Sequence, residues 1–218
     1  MADRRTVLVI APHPDDEAIG CGGALCDHAT RGDRAAAVFL TSGELGLKHL
    51  PREEAWQVRE REAEAAAAIL GVAGLRFLRC PDWYLGDHVA ETAVLLRAVL
   101  ERECPDTIYV PHGREWHPDH RAALPILRIA LGDRKLPDTR VLTYEVWTPL
   151  TEYDHAVDVT EVMPRKLRAI RCHQSQLGSF RYDQAIHGLN RYRGIIAARC
   201  RYAEVFQSAP LSSEHEEP

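Results

Sequence analysis

The run Thr6-Val-Leu-Val-Ile-Ala11 is apolar from its second residue to its last and rich in β-branched side chains. A strand wet on one face alternates polar with apolar residues. One that is apolar throughout is covered on both faces, as the inner strands of a parallel sheet are. A helix is expected from about Glu17 to Arg31, closed by Gly32-Asp33, then a strand over Ala35–Thr41 and a loop through Ser42, Gly43 and Gly46. Pro51 opens a long helix rich in Glu, Ala and Arg, which Gly71 ends. Arg76–Leu78 reads as a short strand, Thr92–Glu103 as a helix and Thr107–Pro111 as a strand. Pro118 suits the first position of a helix capped by His117 and reaching about Leu131. Val141–Val146 and Ala156–Val159 follow as strands, Pro164 opens a helix to about Gln176, and Leu189–Arg201 is a last helical segment. This alternation predicts an α/β fold, a mostly parallel sheet with helices on both faces. Ligands of such folds sit beyond the carboxyl ends of the strands.

At 218 residues the chain suits one well-buried domain. Residues 1–211 are expected to form it, with the polar, acidic stretch 212–218 as a disordered tail. A net charge of -5 argues against nucleic acid as a partner, and the arginines at Arg59-Arg61 and Arg191-Arg201 read as solvated helix faces. No apolar run approaches the ~20 residues that span a bilayer, so no membrane partner is expected. The six cysteines form no Cys-x-x-Cys pair and no signal-peptide pattern precedes them, so they read as reduced thiols of a cytoplasmic protein.

Chemistry concentrates in two clusters, each just after a predicted strand. His13-Pro14-Asp15-Asp16-Glu17 follows the first, and His117-Pro118-Asp119-His120 follows Thr107–Pro111. Capping explains one or two acidic residues at a helix start, but not three in a row beside a histidine. His13 and Asp16 suit a metal ion, leaving Asp15 free to take a proton from an activated water. His117 and His120 lie on one side of a helical turn, so one can ligate while the other donates to a developing oxyanion or a leaving amine. Asp119 would accept a hydrogen bond from one imidazole and fix its tautomer. Two imidazoles and a carboxylate leave zinc a fourth position open, the ligand set of a hydrolytic site, and ferrous iron accepts the same set. Gly20-Cys21-Gly22-Gly23 lacks the spacing of a dinucleotide fingerprint and reads as close helix–sheet packing. Cys21 reads as buried and inert, and His173 as a packing or substrate-edge residue rather than a ligand.

The two clusters resemble the paired signatures of the PIG-L/LmbE-like family of zinc-dependent N-deacetylases. The likeness extends to Thr41-Ser42-Gly43-Glu44, the Arg59-x-x-Glu62 helix ending Leu70-Gly71, Pro81-Asp82, and Lys166…Ala169-Ile170…Ser175-Gln176. It implies a Rossmann-like fold, with His13, Asp16 and His120 as zinc ligands. It further implies Asp15 as general base, His117 as oxyanion stabiliser or general acid with Asp119 in support, and Arg59 and Asp82 as substrate-binding residues. The implied reaction is removal of acetate from an N-acetylated amino sugar, an N-acetylglucosaminyl glycoside. Glu145-Val146-Trp147-Thr148-Pro149-Leu150 is similar to small bacterial members of low-molecular-weight thiol pathways.

The rivals are an amidase of thiol conjugates, a deacetylase of an antibiotic or lipid sugar, and, from a different class, a non-catalytic nucleotide-binding module. A spare carboxylate and a second histidine have no use in the last. A two-metal phosphatase needs more ligands than the clusters supply. Trp83-Tyr84-Leu85 and Trp147 read either as core aromatics or as the contact of a homo-oligomer.

Overall fold

The computed structural model describes residues 4–132, 139–178 and 180–209. The expected tail, 212–218, lies outside them. The apolar run forms β1 (Thr6–Ala11), hydrogen-bonded in parallel to β2 (Arg34–Phe39) on one side and β4 (Thr107–Pro111) on the other. Its side chains divide by the period of a strand. Val7, Val9 and Ala11 enter one core cluster and Leu8 and Ile10 the other, so both faces are dry as the composition predicts. The sheet has seven strands in the order β3-β2-β1-β4-β5-β7-β6, where β3 is Gly74–Phe77, β5 Arg140–Tyr144, β6 His155–Asp158 and β7 Ala203–Ser208. The first five are parallel, whereas β7 is antiparallel to both neighbours.

One face of the sheet is covered by α1 (Asp16–Arg31), α2 (Arg52–Leu70), α5 (Met163–Ile170) and α7 (Tyr182–Arg193), the other by α3 (Val89–Glu103) and α4 (Pro118–Leu131). Gly20 shows why α1 sits so close to the sheet. A Cβ there would overlap the buried Tyr144 ring. After β1 the chain winds outward through β2 and β3, then returns to place β4 on β1's other side. The crevice beyond the carboxyl ends of β1 and β4 is therefore the topological switch point, and both motif clusters open into it.

Three segments differ from the sequence reading. The helix expected from Pro164 to Gln176 is two, α5 and the short α6 (Gln174–Leu177), because the chain turns at 171–173 to bury His173. The helix expected over Leu189–Arg201 ends as α7 at Arg193 and a π-helical turn, Gly194–Ala198. Gly194 there lies against the Arg201 and Tyr202 backbone, which lets the chain double back. It doubles back into β7, a strand the sequence did not reveal.

Helix α1 is broken in its middle. Cys21 has φ -138 and ψ 19, so the helix bends there. The interruption directs the N–H groups of Gly23 and Ala24 to the Glu204 carboxylate of β7, at 2.7 and 2.8 Å. Glu204 also accepts from Lys166 Nζ at 2.7 Å, and Lys166 donates to Asn190 Oδ1 at 2.8 Å. Lys166 is fully buried and Glu204 is 1% exposed, so one ionic knot ties α1, α5, α7 and β7 together.

Candidate active site

The turn between β1 and α1 sets the first half of the site. Asp15 stands at the N-terminus of α1 with φ 130 and ψ -26, a conformation that costs a non-glycine residue about 1–3 kcal/mol. Hydrogen bonds hold it there. Its N–H donates to Glu17 Oε2 at 3.1 Å, and its carbonyl accepts from Ala18 and Ile19. The second half is the start of α4. Pro118 occupies the first turn and His117 caps it, its Nδ1 accepting from the Asp119 N–H at 3.3 Å, as the sequence predicts.

These two starts bring His13, Asp16 and His120 together. His13 Nδ1 lies 3.2 Å from His120 Nε2 and 3.3 Å from Asp16 Oδ2, and His120 Nε2 lies 3.2 Å from Asp16 Oδ2. Ligands at about 2.0–2.1 Å around a tetrahedral zinc stand about 3.3–3.4 Å apart. The triangle thus has the edge length of one face of such a site. Asp16 Oδ1 is buried with no hydrogen-bond partner, which suits a carboxylate that completes its bonding on a cation. Two broader groups share His13: His13, His117 and His120, and His13, Asp82 and Asp119 each present ligand atoms within 4.8 Å of one another. The two nitrogens of His13 separate their roles. Nδ1 faces Asp16 and His120, while Nε2 meets Asp119 Oδ2 at 3.2 Å and Asp82 Oδ1 at 3.1 Å. A proton on Nε2 would leave the Nδ1 lone pair available to a metal ion.

The imidazole that the Asp119 carboxylate meets is therefore that of His13. Its carboxylate is fully buried and accepts from His13, the Trp83 N–H at 2.7 Å and the Leu85 N–H at 3.1 Å. Only its backbone N–H reaches His117. Asp82 accepts the Leu45 N–H at 2.8 Å and stands behind His13 while lining the cavity. Arg59 is no solvated helix residue. It is 3% exposed, and its guanidinium donates to the carbonyls of Gly43 and Pro14 and lies 3.4 Å from Asp15 Oδ2. Arg193, in the other supposed surface cluster, is likewise buried on Glu145.

Burial raises the Asp15 carboxyl to about 6 even though Arg59 pulls it down. Glu17 is pushed up to about 8 by burial and by Asp15, which favours a neutral, structural carboxyl. Burial, with the His13 and His120 rings, takes His117 down to about 4 and keeps it neutral. Burial also takes His173 to about 3, with its Nε2 3.9 Å from Glu17 Oε1, in keeping with packing rather than ligation. Cys21 is buried and its thiol is raised well above the ordinary range, so it has no nucleophilic character.

Two neighbours of the site were not found from the sequence. The Tyr182 hydroxyl donates to Asp15 Oδ2 at 3.2 Å across 167 residues, and no motif announces it. Glu115, two residues before His117, accepts the Val146, Trp147 and Thr148 N–H groups and lies 3.7 Å from His120 Nδ1. Its signal was its place two residues ahead of the second cluster. The whole assembly opens into a cavity of about 410 Å³. A larger cavity of about 1040 Å³, at the opposite ends of the strands around Arg5, His28 and Arg140, contains none of these residues.

No helix among the described residues is long and apolar enough to cross a membrane. The PIG-L family model, described as GlcNAc-PI de-N-acetylase, matches residues 8–131. The probable N-acetyl-alpha-D-glucosaminyl L-malate deacetylase 2 of Bacillus anthracis is 29% identical over 194 residues, covering 82% of this chain and 84% of its own. Diacetylchitobiose deacetylase of Thermococcus kodakarensis is 31% identical over 190 residues, 80% of this chain and 71% of its own. The solved N,N'-diacetylchitobiose deacetylase of Pyrococcus horikoshii superposes with a TM-score of 0.86 at 28% identity, covering 99% of this chain and 88% of that one. With both motif clusters inside the matched span and the same fold along nearly its full length, the chain belongs to the PIG-L family.

Proposed function

We propose that this protein is a metal-dependent hydrolase that removes the acetyl group from an N-acetylglucosaminyl glycoside. The observation that carries the reading is the triangle of His13 Nδ1, Asp16 Oδ2 and His120 Nε2, 3.2–3.3 Å on a side, with a spare carboxylate next to it. Zinc held by those three atoms would supply the Lewis acidity that makes a water acidic and polarises the acetamide carbonyl. Ferrous iron fits the same donors.

Asp15 takes the water's proton as the water attacks the carbonyl carbon. Arg59 and the Tyr182 hydroxyl hold its carboxylate in place, a positioning role for Arg59 beside the substrate-binding one that the resemblance implies. His117 receives the Asp119 N–H on Nδ1 and so carries its own proton on Nε2. From there it donates to the carbonyl oxygen as negative charge develops, a contact worth about 3–4 kcal/mol in comparable sites. Asp15 then returns its proton to the amine as the carbon–nitrogen bond breaks, leaving acetic acid and the amino sugar, and the acid's remaining water-derived proton passes to the amine or to solvent. Proton and bond counts balance without another acid.

The test is acetate release from N-acetylglucosamine and its glycosides, by protein loaded with zinc and by protein stripped with a chelator. Activity is expected with the ion, lost on stripping and recovered on reloading. Silence from protein shown to hold one zinc per chain would end the deacetylase reading. Asp119→Ala removes the carboxylate behind His13, and the ion's affinity is expected to fall about 10–100-fold in a competitive chelator titration. Unchanged affinity would free Asp119 from that role.

A further inference from the structure

We propose that the larger cavity, at the far ends of the strands, is a second ligand site, built for a phosphorylated sugar whose phosphate is held by arginines and whose hydroxyls are held by aspartates. No residue of the two motif clusters lines it, so the site stands whatever reaction those clusters perform. Its walls follow from periodicity. Val7, Tyr109 and Leu142 share one core cluster, so Arg5, Thr107 and Arg140, each two residues earlier on neighbouring strands, face the same side at the open end of the sheet. Ala24, Asp27, His28 and Arg31, three and four residues apart, give the facing wall from α1, and β6 closes the third side. The space between them is about 1040 Å³, against about 410 Å³ at the motif clusters, and a volume of that order takes a small organic molecule rather than a lone ion.

The floor is ordered in advance. The Tyr109 hydroxyl lies 3.1 Å from His28 Nε2, and His28 Nδ1 lies 2.7 Å from Asp33 Oδ2. His28 is 7% exposed and Tyr109 3%, so a carboxylate–imidazole–phenol chain is buried beneath the opening. Burial raises the Tyr109 phenol while the charges of Arg140 and Arg31 pull it down, so both cations act on the floor, from opposite walls.

Four arginines and four aspartates line the cavity, but they are not equally free. Arg31 pairs with Asp27 at 2.9 Å, and Asp33 is taken by His28 and by the Arg5 N–H at 3.2 Å. Arg5 and Arg140 are exposed, and among the described residues no carboxylate pairs with either guanidinium. Strands β1 and β5 flank β4, so the two side chains start about 10 Å apart, close enough to converge on one phosphate through planar N–H pairs. Asp106 and Asp158 each accept one backbone N–H, from Thr6 at 2.7 Å and Thr160 at 2.9 Å, and keep lone pairs for hydroxyl donors. A bare anion or a metal cation meets repulsion as well as attraction in such a lining. A molecule with a phosphate at one end and hydroxyls along its body uses both signs.

The experiment is calorimetric titration of the full chain, stripped of metal with a chelator so that no phosphate binds an ion in the other cavity. The probes are glucose 6-phosphate and adenosine monophosphate, with glucose and inorganic phosphate as the separate halves. At least one phosphorylated probe should bind about tenfold more tightly than either half, and the one that leads tells a sugar phosphate from a nucleotide. The double variant Arg5→Ala with Arg140→Ala, both changes on exposed side chains, should weaken that probe by about tenfold or more at an unchanged melting temperature. Arg140→Ala alone should weaken it in the same direction, which covers a double variant that melts early. Asp15→Asn should bind the probe as the parent does. The proposal is overturned if neither phosphorylated probe gives heat at millimolar concentration, if neither binds more tightly than inorganic phosphate, or if the arginine variants keep full affinity. Affinity lost in Asp15→Asn and kept in the arginine variants would move the probe to the motif cavity and overturn it equally.

Discussion

Asp15→Asn is expected to bind its metal ion normally and to lose about 10²–10⁴-fold in kcat, the usual worth of a general base. Asparagine is the informative replacement. It keeps the volume and the carbonyl oxygen that Tyr182 and Arg59 address, and it is among the few residues at ease with positive φ, so the turn at φ 130 survives. The change removes basicity and little else. Metal content measured by elemental analysis, beside kcat on any accepted substrate, separates a lost base from a lost ion. Turnover within a few-fold of the unsubstituted protein would show that some other group takes the proton.

The second large effect lies outside the cavity. Glu204→Ala should lower stability by about 3–5 kcal/mol, which for a chain of this size is a fall in melting temperature of about 6–20 °C. The substitution leaves the Lys166 ammonium buried with only Asn190 as acceptor, and it strands the Gly23 and Ala24 N–H groups at the break in α1. Removing one partner of a buried pair costs far more than the pair itself contributes. The double variant Lys166→Met with Glu204→Gln removes both charges but keeps an amide oxygen for α1, and should recover part of the loss. A Glu204→Ala protein melting within a degree or two of the parent would mean that water reaches Lys166.

Most of the sheet was readable because its inner strands are apolar on both faces and its helices begin at Pro51 and Pro118. The strand β7 was not. Its second residue, Glu204, carries a charge into the core, and the Arg-rich stretch before it reads as a continuing helix. Local propensity has no way to register a carboxylate whose partners are 38 and 180 residues away. The site divides the same way. His13, Asp15, Asp16, His117 and His120 lie in two short motifs at strand ends, where residue type and spacing carry the chemistry. Arg59 was open to a surface reading because its i,i+3 spacing from Glu62 suits an exposed ion pair. Folding instead gives Glu62 to Ser175 and Arg59 to the carbonyls around Asp15. Asp119 touches His117 through its backbone and His13 through its side chain, a distinction only packing reveals.

The antiparallel β7 also bears on the order in which a growing chain can finish itself. Strand β6 reaches the sheet through β7 alone, pairing with it and not with β5. On the ribosome, residues 155–158 have no docking edge until 203–208 emerge, and β5 waits with its outer hydrogen bonds open to other chains. The same late strand delivers Glu204 to α1, the helix that Asp15 caps and Asp16 begins. The packing of α1 is thus completed only once β7 is in place, and until then the outer edge of β5 is open to edge-to-edge association.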